Sequence, residues 1–113
     1  GAKALTDIYE HDGNPPTVND PALTSRMLPS LQAVVGKDNV YEPPLQMGSE
    51  DFSLFAQEVP AMFFFVGSTP KGTDPATAPS NHSPKFLLDE SALDVGFRAL
   101  MQLTLDYLQQ PSS

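Results

Sequence analysis

Only two histidines occur in the 113 residues, and one of them, His82, stands in the stretch NHSPKF at 81–86. A neutral imidazole is the commonest metal ligand and the natural general base near neutral pH. Pro84 biases Ser83 toward an extended backbone, and Phe86, Leu87 and Leu88 are expected to clamp the segment to the core. From spacing alone, the commoner case is a surface ring bonded to a neighbouring carbonyl, and both readings stand. The second candidate is MGSEDF at 47–52. Glu50 and Asp51 could place a carboxylate in an active site, or they could simply suit the positive end of a helix. Glu10, His11 and Asp12 could ligate a cation. Three adjacent residues on a strand do not all point the same way, so a solvated tip is the better reading.

Other chemistries are poorly provided for. Neither Gly48-Ser49-Glu50 nor Gly67-Ser68-Thr69 completes the G-x-S-x-G elbow of serine hydrolases. No phosphate-binding or dinucleotide-binding glycine pattern is present. The absence of cysteine excludes disulfides and thiolate metal sites. A zinc site takes three or four protein ligands, and no H-x-x-x-H or D-x-H array gathers them. If His82 is a ligand, its partners come from outside these residues. A formal charge of −8 argues against nucleic acid, whose phosphates require Lys and Arg. No stretch approaches the roughly 18 apolar residues of a membrane span, so no membrane partner is expected. The start, GAKAL, lacks Met, a charged region and an apolar region, and no signal peptide is visible. Such a start suits a piece of a larger protein. The compartment is left open between cytoplasmic and periplasmic or secreted.

The elements that must position these residues follow from the breaker pattern. The length suits one domain with a sizeable core. Residues 3–11 suggest a strand, and DGNPPTVND a connector. Asp20 followed by Pro21 predicts a helix start. Leu23, Met27, Leu31 and Val34 continue at helical spacing, Pro29 should kink or crowd the helix, and Gly36 should stop it. A short strand is expected at Asn39–Tyr41. Ser49 reads as the cap of a helix over Glu50–Gln57, with Phe52, Phe55 and Ala56 on its apolar face. The continuous apolar run Ala61–Val66 suggests a strand buried on both faces, as in a parallel sheet. Residues 68–85 form a long loop of the kind that is often functional. The last helix is expected to be capped by Asp89. Leu88 and Leu93 should form its hydrophobic staple, and Leu93, Phe97, Leu100, Leu103 and Tyr107 should line its buried face. This order implies an α/β fold.

Two runs, MGSEDFSLFAQEVPAMFFFVGS and NHSPKFLLDESALDVGFRALMQLTLDYL, together resemble the C-terminal part of the M20 metallopeptidase family. The likeness is strongest to its amidohydrolase branch of N-acyl-amino-acid, hippurate and auxin-conjugate hydrolases. The upstream piece IYEHDGNPPTVNDPAL is similar to that family's exit from its lid domain. The resemblance runs from about Ala4 to Leu108. It implies the C-terminal part of a zinc-peptidase-like α/β catalytic domain at 20–113. Residues 1–19 would then hold the end of the lid (dimerisation) domain, with a short remnant strand, and the connector. It further implies amide hydrolysis with two divalent ions, zinc or else manganese or nickel, acting on a small N-acyl amino acid or peptide. His82 matches the ligand of the family's H-S-P motif. Glu50 and Asp51 match an acidic pair that borders the active site, and Ser83 is a candidate to orient the His82 ring. The remaining ligands and the catalytic glutamate have no counterpart here. The chain alone should therefore be inactive and bind metal weakly, and the unpaired edges of the Ala61–Val66 strand should drive self-association as a homo-oligomer or strand exchange. The competing reading is a small non-catalytic α/β module for protein binding or dimerisation, in which His82 is incidental.

Overall fold

A helix begins where a side chain can satisfy the first free N–H groups and a proline can occupy the first turn at no cost. The sequence places Asp20 and Pro21 in those roles. In the computed structural model, which describes residues 1–6 and 13–109, helix α1 runs Pro21–Val35 and the Asp20 carboxylate accepts the Leu23 N–H at 2.7 Å. Gly36 ends it with φ +85°, a left-handed conformation that glycine adopts without penalty, and its N–H closes on the Gln32 carbonyl at 2.8 Å. Pro29 lies inside α1 without dividing it. Helix α2 spans Phe52–Glu58 and helix α3 spans Ser91–Gln109.

Helices α1 and α3 pack against each other through small residues. Ala92 and Ala99 of α3 are buried, with Met27 and Ser30 of α1. The Ser30 hydroxyl hydrogen-bonds Asp106, and the Arg26 guanidinium lies 4.5 Å from the centre of the Tyr107 ring. Gly96 faces Val66, where a Cβ would meet the Val66 Cγ2 at 3.8 Å. The buried stripe of α3 is therefore not the expected one. Leu93, Phe97, Leu100 and Tyr107 are exposed and Leu103 is half-buried. Alanine and glycine let two helices and an extended segment approach closely, and that approach turns the larger side chains outward. The resulting core is small: among the described residues its buried apolar members are Met27, Ala61, Ala92 and Ala99. The radius of gyration is 17.9 Å, against about 13 Å for a compact domain of this length.

The expected strands are not formed among the described residues. Residues 3–6 have no regular structure, and the rest of the expected 3–11 strand lies outside the described residues. Lys37–Asn39 form a short 3-10 turn instead of leading into a strand at Asn39–Tyr41. Ala61–Val66 pairs with no neighbouring strand, and it is not buried on both faces: Ala61 is buried, Phe65 is exposed and the others are half-buried. A ladder requires a second strand to exchange N–H and C=O bonds with, and the described residues offer only helices and loops to this segment. The α/β expectation is thus met in its helices and not in a sheet.

Candidate active site

The His82 loop is tied at its root. The Asp89 N–H donates to the Ser68 carbonyl at 2.9 Å, closing the segment between them. The Asp89 carboxylate also accepts the Ser91 N–H at 2.9 Å and the Ser91 hydroxyl at 2.7 Å, so it caps α3 as expected. These bonds favour the charged form and, with a smaller contribution from Lys71, hold the Asp89 carboxyl below its usual range. Within the loop the backbone folds into successive turns. Gly72 takes φ +85° in one of them, and Asp74 accepts the Ala76 N–H on its side chain in the next. The Ser83 N–H then donates to the Ser80 carbonyl at 2.9 Å, and the Phe86 N–H to the Ser83 carbonyl at 3.0 Å. His82 sits inside the first of these two turns, exposed. The Ser83 hydroxyl accepts the Lys85 N–H at 3.2 Å, so it shapes the turn behind the ring. Phe86, Leu87 and Leu88 do not clamp the loop to the core, since all three are exposed. Leu88 and Leu93, the expected staple pair, are both exposed as well.

The MGSEDF stretch is held from the connector. Asn14 donates from Nδ2 to the Asp51 Oδ1 at 2.6 Å and to the Ser49 hydroxyl at 3.2 Å. The helix starts later than the sequence suggests: Asp51, not Ser49, occupies the cap position, and Glu50 accepts the Phe52 N–H at 3.2 Å. Ser49 instead accepts the Asn14 amide. The face that α2 turns inward also differs. Ser53 is its fully buried residue, Phe52 and Ala56 are half-buried and Phe55 is exposed. The Phe52 ring packs on Phe63 at 5.4 Å between centroids, which fixes α2 against the extended segment.

A divalent ion of the expected kind needs several donors converging on one point. His82 fits as one such donor, being exposed on a turn of defined geometry. The described residues contain no group of three or more His, Asp or Glu that could hold an ion. No hydrogen bond among them joins the His82 ring to Glu50 or Asp51. The Glu10, His11 and Asp12 triplet lies outside the described residues. Sequence reasoning missed Asn14 and Asn19. The only available signal was an amide side chain at each end of a breaker-rich connector.

A fold of helices around an extended segment, with a histidine on a root-tied loop beyond it, invites comparison with known hydrolases. The profile described as Peptidase family M20/M25/M40 matches residues 4–106, and the chain belongs to this family of hydrolytic enzymes. It is 38% identical over 107 residues to the IAA-amino acid hydrolase ILR1-like 4 of Arabidopsis thaliana, covering 93% of this chain and 24% of that protein. Over 105 residues it is 33% identical to thermostable carboxypeptidase 2 of Saccharolobus solfataricus, again covering 93% of this chain and 24% of the relative. Its identity to the putative amidohydrolase YhaA of Bacillus subtilis is 35% over 101 residues, 89% of this chain and 25% of the relative. The chain thus spans about a quarter of the length of the curated relatives it matches. No solved structure gives a significant match. Among the described residues no helix is long and apolar enough to cross a membrane.

Proposed function

We propose that this chain is the C-terminal segment of a metal-dependent amidohydrolase that cleaves amide bonds of small N-acyl amino acids or peptides. Residues 1–19 would be the end of the lid domain and the connector, and residues 20–113 a segment of the catalytic domain. The observation that carries the reading is the placement of His82: an exposed imidazole in a tight turn, on a loop whose root is closed by the Asp89–Ser68 bond. Membership of a hydrolase family supports it over a non-catalytic module, and a relative named for hydrolysis of IAA–amino acid conjugates supports the substrate class.

A bound pair of divalent ions, zinc or else manganese or nickel, would supply an acidified water and a polarised scissile carbonyl. The residues of this chain have simpler tasks. His82 offers a ring nitrogen as one donor. Ser83, by holding the Lys85 N–H, keeps the turn behind that ring in shape. Glu50 and Asp51 form an acidic border, with Asp51 fixed by Asn14. The His82 imidazole cannot complete a cation site by itself, and the described residues gather no group of ligands around it, so the chain alone should hold metal weakly and not turn over substrate. The outward Leu93, Phe97 and Leu100 favour self-association when nothing else covers them.

The test is His82→Ala in the intact protein. Metal content should fall and kcat/KM should drop by more than about 100-fold, the upper end of what even an indirect metal partner costs. Metal content and activity equal to those of the unaltered enzyme would defeat the assignment.

A further inference from the structure

The Ala61–Val66 segment raises a question that the proposed chemistry does not answer: what fixes it, when no strand pairs with it among the described residues? Asn19 does so with its side chain. Its Nδ2 donates to the Phe63 carbonyl at 2.8 Å, and its Oδ1 accepts the Phe63 N–H at 2.7 Å. This is the reciprocal two-bond exchange that a partner residue makes in an antiparallel ladder. The next residue extends it, since the Asp20 N–H donates to the Ala61 carbonyl at 2.8 Å. Asp20 is also the cap of α1. Two adjacent residues therefore lock the connector, the start of α1 and the extended segment to one another. That segment continues to Ser68, whose carbonyl is the root of the His82 loop.

We propose that Asn19 is a positioning residue: its side-chain amide stands in for a strand, fixing Ala61–Phe63 and, through them, the root of the loop that carries His82. The part concerning His82 rests on the reading above that this ring is a metal ligand.

Asn19→Ala removes both bonds. Asn19→Asp keeps the acceptor but sets a carboxylate oxygen against the Phe63 carbonyl. Hydrogen exchange of the Phe63 amide in the intact protein should quicken about tenfold in both variants relative to wild type at pH 7. Below the usual carboxylate range, near about pH 4, the introduced carboxyl of Asn19→Asp is protonated and regains one donor beside its acceptor. The exchange ratio for Asn19→Asp should then return toward one, while that for Asn19→Ala should not. A residue that merely fills space would show no such return. Titration with Mn²⁺ at neutral pH should show both variants binding the ion about tenfold more weakly. Phe63 exchange equal to wild type in both variants overturns the clamp. Quickened exchange with unchanged Mn²⁺ affinity overturns its positioning of the loop. Mn²⁺ affinity unaltered in His82→Ala defeats the ligand reading alone, and the exchange measurement still judges Asn19. Asn19→Asp at low pH, where both contacts can re-form, decides the matter should Asn19→Ala fail to fold.

Discussion

The seam between α1 and α3 and the loop that carries His82 solve different problems with different materials. In the seam, Ala92, Ala99, Met27 and Ser30 are buried, and a hydroxyl–carboxylate bond and a cation–π contact cross between the helices. In the loop, order comes from turns and from one tie at the root, while His82 and the apolar residues after it stay in the open. The seam makes its contacts between two helices of the chain. The loop presents a donor and leaves its remaining partners to be supplied. This division teaches that stability and chemistry should respond separately to substitution.

The largest effect expected is on chemistry. His82→Ala, which costs more than about 100-fold in kcat/KM, should leave the melting temperature of the metal-free protein unchanged, because the exposed ring contributes no buried contact. A matching drop in metal-free stability would erase the distinction between the two regions. Next comes Met27→Ala in the seam. Its side chain is 2% exposed, so the change should cost about 2–5 kcal/mol of stability in urea unfolding. The metal affinity of the folded fraction should stay as it was.

Acid should act on both regions through depressed carboxyls. The Ser30 hydroxyl, followed by the Gln102 amide at 2.9 Å, lowers the Asp106 carboxyl below its usual range. A depressed folded-state value means that protonation favours the unfolded chain. This contribution is therefore complete above the unfolded value of about 3.9 and is lost as pH falls through the lower folded one. Asp106→Asn should flatten the acid limb of the stability curve, seen by circular dichroism across pH. Asp89 titrates with the same sign at the start of α3. Asp89→Asn should remove that acid dependence while the Ser68 tie, made by the residue 89 backbone N–H, stays closed, seen as unchanged hydrogen exchange of that amide. The smallest change expected is Gly96→Ala. A Cβ there meets Val66 at an ordinary 3.8 Å, so the gain in helix propensity, about 0.5–1 kcal/mol, should appear as a slightly raised melting temperature.

Much of the local structure is legible in the residues alone. Asp20, Pro21 and Gly36 mark the ends of α1, and Asp89 marks the start of α3. The irregular loop with His82 follows from its prolines and glycines. The start of α2 is not legible: Ser49 bonds Asn14, a partner 35 residues away that no local pattern reveals, and Asp51 takes the cap position. Nor is the buried face of α3. Its large apolar residues suggest one stripe, whereas alanines and a glycine permit a closer approach along another. Of the candidate site, the motif around His82 is readable, while the role of Ser83 in its own turn is not.

By itself the sequence determined what depends on neighbours within a few positions: helix ends, turn residues, and the paired MGSEDF and HSPKF stretches that mark the family. Tertiary structure alone decided which stripe of α3 meets α1, and that Phe63 is held by the side-chain amide of Asn19 and Ala61 by the Asp20 N–H. The reason is physical. Caps and turns close hydrogen bonds over a few residues, so residue type nearly fixes them. Burial and pairing are settled between segments far apart in the chain, where several apolar faces compete and close approach selects one.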